Sequence, residues 1–207
     1  MPELPPLVAV AHGSRDPRAV HTVAAVLARM QRRMAGSPVH VAHLDFTAPG
    51  PEATLRQLAE RGTREVVVLP LLLTVGYHSR VDIPAAIAAV QADVPGLTVH
   101  YGGTLGPDPL LLAGLERRLR ARGIVPGDPR TAVVLAAAGS SDPDAVATIT
   151  ASARRWRGRG WWDVVPAYAS AARPTIGEAV AGLRARGAPS VAVAPYFLAP
   201  GLLPDRA

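Results

Sequence analysis

The chain has 207 residues, 49% of them apolar and 18% charged, so it is long enough for one large or two small domains and too apolar for a disordered chain. It has no cysteine, which excludes disulfides, thiolate catalysis, zinc ribbons and iron–sulfur clusters and leaves any metal to His, Asp or Glu. The net charge is +6 and every one of the 22 basic residues is Arg, a planar fork of donors that suits carboxylate or phosphate. These cations are spread along the chain, so composition by itself favours a GC-rich coding sequence over an anionic partner. The longest apolar run, Val66 to Tyr77, is too short to span a bilayer. No basic segment precedes the apolar stretch after Met1-Pro2-Glu3, so no signal peptide is expected and a cytoplasmic location is the default.

Two periods alternate along the chain. Leu7–Ala11 is a short apolar strand ending at His12. Asp16-Pro17 opens a helix, with Asp as N-cap and Pro at the first helical position. Val20, Val23, Leu27, Met30 and Met34 give it one apolar face, and Gly36 and Pro38 stop it. A strand follows at Val39–Leu44, a helix at Pro51–Arg61 and an apolar strand running from Val66 to Leu73. Pro84–Ala92 reads as a helix, Leu97–Tyr101 as a strand, and Pro109–Arg122 as a helix capped by Asp108 and stopped by Gly123. Strands that are apolar throughout and alternate with helices predict a parallel sheet covered on both faces.

Val125–Pro129 reads as a linker, and then the pattern restarts. A strand at Ala132–Ala137, a helix ending near Arg157, a strand at Asp163–Tyr168, a helix from Thr175 to Arg186 and a strand at Val191–Phe197 follow in turn. This is an internal repeat. His12-Gly13-Ser14-Arg15-Asp16-Pro17 matches Ala138-Gly139-Ser140-Ser141-Asp142-Pro143 at an offset of 126. Ala48-Pro49 matches Arg173-Pro174, and Pro70–Leu73 with Gly76 matches Pro195–Leu198 with Gly201, both at 125. The prediction is an α/β protein of two similar lobes, each a parallel sheet flanked by helices, with residues 1–126 in the first and 127–207 in the second. The second lobe is expected to be incomplete, since the sequence stops just after its third strand; truncation is the favoured reason.

In an open parallel sheet, ligands bind at the carboxyl ends of the strands. His12 ends the first strand, Asp45 follows the second and His78 lies in the loop after the third, so topology brings all three to one edge. Two imidazoles and a carboxylate suit a divalent first-row metal. The repeat supplies a control. Ala138, Ser170 and Leu203 stand at the corresponding positions of the second copy, so the scaffold does not need His or Asp there. Taken singly, each of the three has an ordinary structural explanation; taken together, they point to a metal site in the first lobe alone.

The other histidines rank lower. His21 is expected on the solvent face of the first helix, His40 and His100 at strand ends, and His43 in the core or at the site rim. The stretch Arg154–Trp162 resembles a base-stacking strip of Arg and Trp, but a basic helix C-terminus followed by an aromatic strand entry explains it better. No nucleic-acid or membrane partner is expected, and neither a G-x-G-x-x-G nor a Walker pattern supports nucleotide binding. No interface patch is legible from which an oligomeric state follows.

The stretches Val8–Pro17 and Pro70–Pro84 resemble the sirohydrochlorin chelatase family of the CbiX/SirB type, with echoes of a second lobe at Ala172–Thr175 and Pro195–Gly201. The resemblance implies ATP-independent insertion of a divalent metal (Co2+, Fe2+ or Ni2+) into sirohydrochlorin or a related anionic tetrapyrrole, with no organic cofactor. His12 and His78 match the family's metal-handling histidines and take the catalytic role of metal delivery and proton acceptance. Asp45 stands where members commonly carry Glu, and is expected to complete the coordination. Arg15 and Arg80 are the expected contacts to the ring's carboxylates, assisted by Ser14 and the backbone of Gly13 and Gly76. Two competing functions are a metal or tetrapyrrole carrier without turnover and a His12-dependent phosphatase. The phosphatase pattern requires Arg immediately before the histidine, where this chain has Ala11.

Overall fold

A computed structural model describes residues 4–34 and 36–207. Met1–Glu3, read above as free of a basic leader, lie outside the described residues, as does Ala35. Among the described residues, seven parallel strands and six α-helices alternate: β1 Leu7–Ala11, α1 Pro17–Arg33, β2 Val39–His43, α2 Pro51–Glu60, β3 Glu65–Pro70, α3 Ile83–Asp93, β4 Thr98–Tyr101, α4 Pro109–Arg120, β5 Thr131–Ala137, α5 Pro143–Arg157, β6 Asp163–Tyr168, α6 Ile176–Ala185 and β7 Ser190–Pro195. A π-helical turn at His78–Asp82 leads into α3, and a 3-10 turn closes Pro204–Arg206. Among the described residues, no helix is long and apolar enough to cross a membrane.

The helix starts follow the expected chemistry. The Asp16 carboxylate accepts the Arg18 N–H at 2.8 Å with Pro17 at the first helical position. Asp108 and Asp142 accept the N–H groups of Leu110 and Asp144 in the same way. Thr175 and Glu178 form a reciprocal capping box on α6.

The chain divides into two compact units, Met1–Leu105 and Gly106–Ala207. The first holds a four-stranded parallel sheet in the order β2-β1-β3-β4. Its core joins Val8, Val10, Ala42, Val66 and Val68 of the sheet to Leu55, Leu58, Ile83, Ile87 and Val90 of α2 and α3. The second holds a three-stranded parallel sheet in the order β6-β5-β7, with β5 buried along its whole length.

Three features differ from the sequence reading. The division falls at Leu105/Gly106 instead of 126/127, because α4 packs within the second unit. Glu116 of α4 accepts hydrogen bonds from the indole of Trp156 (2.9 Å) and the guanidinium of Arg159 (3.0 Å). Strand β3 stops at Pro70 instead of Leu73, with the Leu71 N–H donating a last ladder bond to the Val10 carbonyl at 2.8 Å. On α1 the buried residues are Ala19 and Val23, whereas Val20, assigned to the core face, is exposed.

The repeat is reproduced in backbone detail. Ala11 pairs with His43, and Ala137 with Tyr168. Asp45 N–H donates to the His12 carbonyl (2.8 Å), and Ser170 N–H to the Ala138 carbonyl (2.9 Å). Phe46 and Ala171 both have positive φ, 60° and 52°, and Ala48-Pro49 and Arg173-Pro174 are both cis.

Candidate metal centre

Three loops at the carboxyl edge of the first sheet build the site. The β1–α1 loop carries His12, the β2–α2 loop Asp45, and the π-helical turn after β3 His78. Gly13 makes the first approach possible. Its φ is +90°, and a Cβ placed on it would meet the Asp45 carbonyl oxygen at 1.8 Å. Only a residue without a side chain fits there, and the two loops are thereby locked together. Thr47 adds a second tie, its hydroxyl donating to the Ser14 carbonyl at 3.1 Å.

The three predicted ligands converge. One ligand atom from each of His12, Asp45 and His78 lies within 4.8 Å of the others. His12 Nε2 is 3.9 Å from Asp45 Oδ2, and the His12 and His78 rings meet edge to face with centroids 4.9 Å apart. Bonds of about 2.0–2.2 Å to a divalent ion place ligand atoms roughly 3–4 Å from one another, so small side-chain rotations close this set on an ion. A set of three protein donors would leave coordination positions open. His12 and Asp45 are exposed and His78 is half-buried, so the ligand cluster faces solvent.

His78 is held from behind. Its Nδ1 lies 2.6 Å from Asp82 Oδ2. The turn bearing both residues is fixed separately. Gly76 N–H donates to Ser79 Oγ and Ser79 Oγ–H to the Gly76 carbonyl, each at 3.0 Å. Arg80 N–H reaches the Gly76 carbonyl at 3.0 Å, and the Tyr101 hydroxyl donates to the Ser79 carbonyl at 2.7 Å. Burial raises the Tyr101 phenol above its ordinary value, which keeps it a donor.

The other predicted residues sit around this cluster. Arg15 is exposed, with its guanidinium 4.9 Å from the centroid of the Phe46 ring. Phe46 is 61% exposed and lies near-parallel to His12 at 6.5 Å. Arg80 is exposed on the π-helical turn. Ser14 is half-buried, and its Oγ accepts the Asp16 N–H at 3.0 Å. Two neighbours escaped the sequence reading. Phe46 carries no sequence signal beyond following Asp45. Asp82 was detectable, because a carboxylate four residues after a histidine faces it across one helical turn.

His43 is placed in the core, 6% exposed, with a buried Nδ1 that has no hydrogen-bond partner among the described residues. Burial holds its imidazole below the usual range. His40 is lowered too, by burial first and by Arg61 second. His100 pairs with Glu65 at 2.7 Å, and His21 is exposed on α1. Trp156 and Trp161 are buried edge to face with centroids 5.7 Å apart, so neither indole is available to stack on a base.

The CbiX family model matches residues 6–122 and 132–206. The chain is 31% identical over 201 residues to the sirohydrochlorin cobaltochelatase of Priestia megaterium, covering 95% of this chain and 65% of that protein. It is 28% identical over 195 residues to the sirohydrochlorin ferrochelatase of Bacillus subtilis, covering 94% of this chain and 74% of that one. The chain thus spans about two thirds to three quarters of these relatives' length. The structure of SirB from Bacillus subtilis with Fe3+ superposes with a TM-score of 0.85 at 28% identity, over 96% of this chain and 79% of that chain.

Proposed function

The chain belongs to the CbiX family, and we propose that it inserts a divalent metal, cobalt or ferrous iron, into sirohydrochlorin without ATP. The observation that carries this reading is the convergence of His12, Asp45 and His78 on one point. The relatives named for cobalt and iron insertion support the same reaction class.

The chemistry follows from the donor set. The metal is substrate, so it must be held and then released. A closed cage of four protein ligands retains its ion, whereas three ligands with open positions leave room for a pyrrolic nitrogen to enter. Each ring nitrogen that joins the metal displaces a protein ligand or water. Insertion of one M2+ expels the two pyrrolic N–H protons, and an imidazole freed from the metal accepts a proton near neutrality. His12 and His78 therefore take both tasks in sequence: they deliver the ion and then receive protons. Asp45 contributes negative charge, which offsets the cation until the ring dianion replaces it.

Sirohydrochlorin carries eight carboxylates, and Arg15 and Arg80, on the ligand loops, are the donors that bind them. Arg binds a carboxylate through two parallel N–H bonds. The exposed Phe46 ring, close to Arg15 and His12, offers apolar surface to a flat macrocycle. Ser14 and the backbone of Gly13 and Gly76 complete the substrate side. Ala138, Ser170 and Leu203 give the second unit no equivalent set, so the reaction belongs to the first.

The test is an anaerobic absorbance assay with sirohydrochlorin and Co2+ or Fe2+, with and without protein. The protein accelerates formation of the metallated ring, and His12→Ala and His78→Ala each lose about 100-fold or more of that acceleration. Full activity in both variants overturns the reading. Metal binding without acceleration identifies a carrier instead.

A further inference from the structure

Asp82 is not among the three converging ligands, yet it makes the shortest contact in the cluster, 2.6 Å from its Oδ2 to His78 Nδ1. We propose that Asp82 is the positioning residue of the site: it fixes the tautomer and the aim of His78, so that Nε2 is the donor atom offered to the metal. The proposal rests on the chelatase reading above and assigns a residue outside the ligand set.

The proton inventory makes the case. An ionised carboxylate only accepts. The Nδ1 facing Asp82 therefore carries the hydrogen, which leaves the lone pair of the neutral ring on Nε2. A metal needs that lone pair. A carboxylate behind the ring also strengthens the opposite nitrogen as a ligand. Asp82 Oδ2 is thereby engaged with the ring, which agrees with Asp45 being the carboxylate that joins the metal cluster.

Two further observations separate this role from a surface ion pair. The π-helical turn does not depend on the dyad for its shape, because Ser79, Gly76, Arg80 and Tyr101 already hold it. Insertions of this kind into helices are frequent at functional sites. The second copy lacks both members together, with Leu203 at the position of His78 and Ala207 at that of Asp82. The pair is absent as a unit from the copy without ligands.

The experiment uses the full chain, with Co2+ alone as probe. Imidazole 15N spectra of the metal-free protein report the His78 tautomer, and visible absorption reports Co2+ affinity. In the wild type, Nδ1 is the protonated nitrogen. Asp82→Ala loses that preference and weakens Co2+ binding about 10–100-fold, while its Tm falls only by about 2–4 °C, as for loss of one partly exposed pair. Asp82→Asn, whose carbonyl still accepts from Nδ1–H, retains the tautomer and recovers most of the affinity. Asp82→Ala with wild-type affinity and an unchanged tautomer overturns the assignment, as does a wild-type ring protonated on Nε2. If the wild-type protein binds Co2+ but leaves insertion unaccelerated, the chelatase reading falls and the dyad is still judged by these two readouts. If it binds no Co2+, both fall.

Discussion

The backbones of Gly13 and Asp45 are in direct contact, so close that a methyl group on the glycine would lie 1.8 Å from the aspartate carbonyl oxygen. The same contact recurs between Gly139 and Ser170, also at 1.8 Å and with φ of +91°. Gly13→Ala and Gly139→Ala are therefore both expected to destabilise their own units, by about 2–4 kcal/mol from backbone strain plus the clash. Only Gly13→Ala displaces ligands. Co2+ titration of the two variants, alongside denaturant unfolding, separates the effects. Equal loss of metal affinity in both contradicts the placement of the site in the first unit.

Asp45 has a graded prediction. Asp45→Asn keeps the size and removes the charge, so Co2+ affinity falls about 10–100-fold. Asp45→Glu keeps the charge and lengthens the reach, and binding stays within a few fold of the wild type. Calorimetric titration checks both. An Asn variant that binds like the wild type removes Asp45 from the coordination sphere.

His43 links stability to pH. Its folded pKa is depressed by burial, so the neutral form is favoured in the folded state and the unfolded chain takes up the proton first. The stability held by a neutral His43 is complete above the ordinary imidazole value of about 6.5 and is lost as pH falls below it toward the folded value. His43→Phe removes this dependence. The drop in Tm between pH 7.5 and pH 5 becomes smaller in the variant, with His40 supplying part of what remains. An unchanged drop shows that His43 does not titrate in this window.

Trp156 is the test of the basic, aromatic stretch. Its side chain is 0% exposed and its indole N–H is bonded to Glu116. Trp156→Ala costs about 3–5 kcal/mol of stability, seen as an earlier denaturant midpoint. Undiminished stability in this variant would revive a role for the tryptophans outside the core.

Much of this architecture was legible because local chemistry and tertiary demand coincide. Asp16-Pro17, Asp108-Pro109 and Asp142-Pro143 each open a helix, and β1 is bounded by the turn at Gly13. The convergence of His12, Asp45 and His78 was legible through topology and the repeat. What escaped was set by packing across the chain. Helix α4 follows β4 in sequence but is held by Trp156 and Arg159. Leu71–Leu73 continue an apolar run past the end of β3 at Pro70. Phe46 takes its place beside His12 and Arg15 from a positive-φ backbone that a phenylalanine rarely adopts.

The duplicated loop pair of the second unit has a practical outcome for redesign. Gly139, Ser170, Ala171 and the Arg173-Pro174 bond repeat the main-chain mould that presents His12 and Asp45. Writing histidine at 138 and aspartate at 170 transplants two of the three proposed metal ligands by side-chain exchange alone. The remaining third is a different task, since Leu203 precedes the tighter Pro204–Arg206 turn and a third donor there calls for rebuilding the loop.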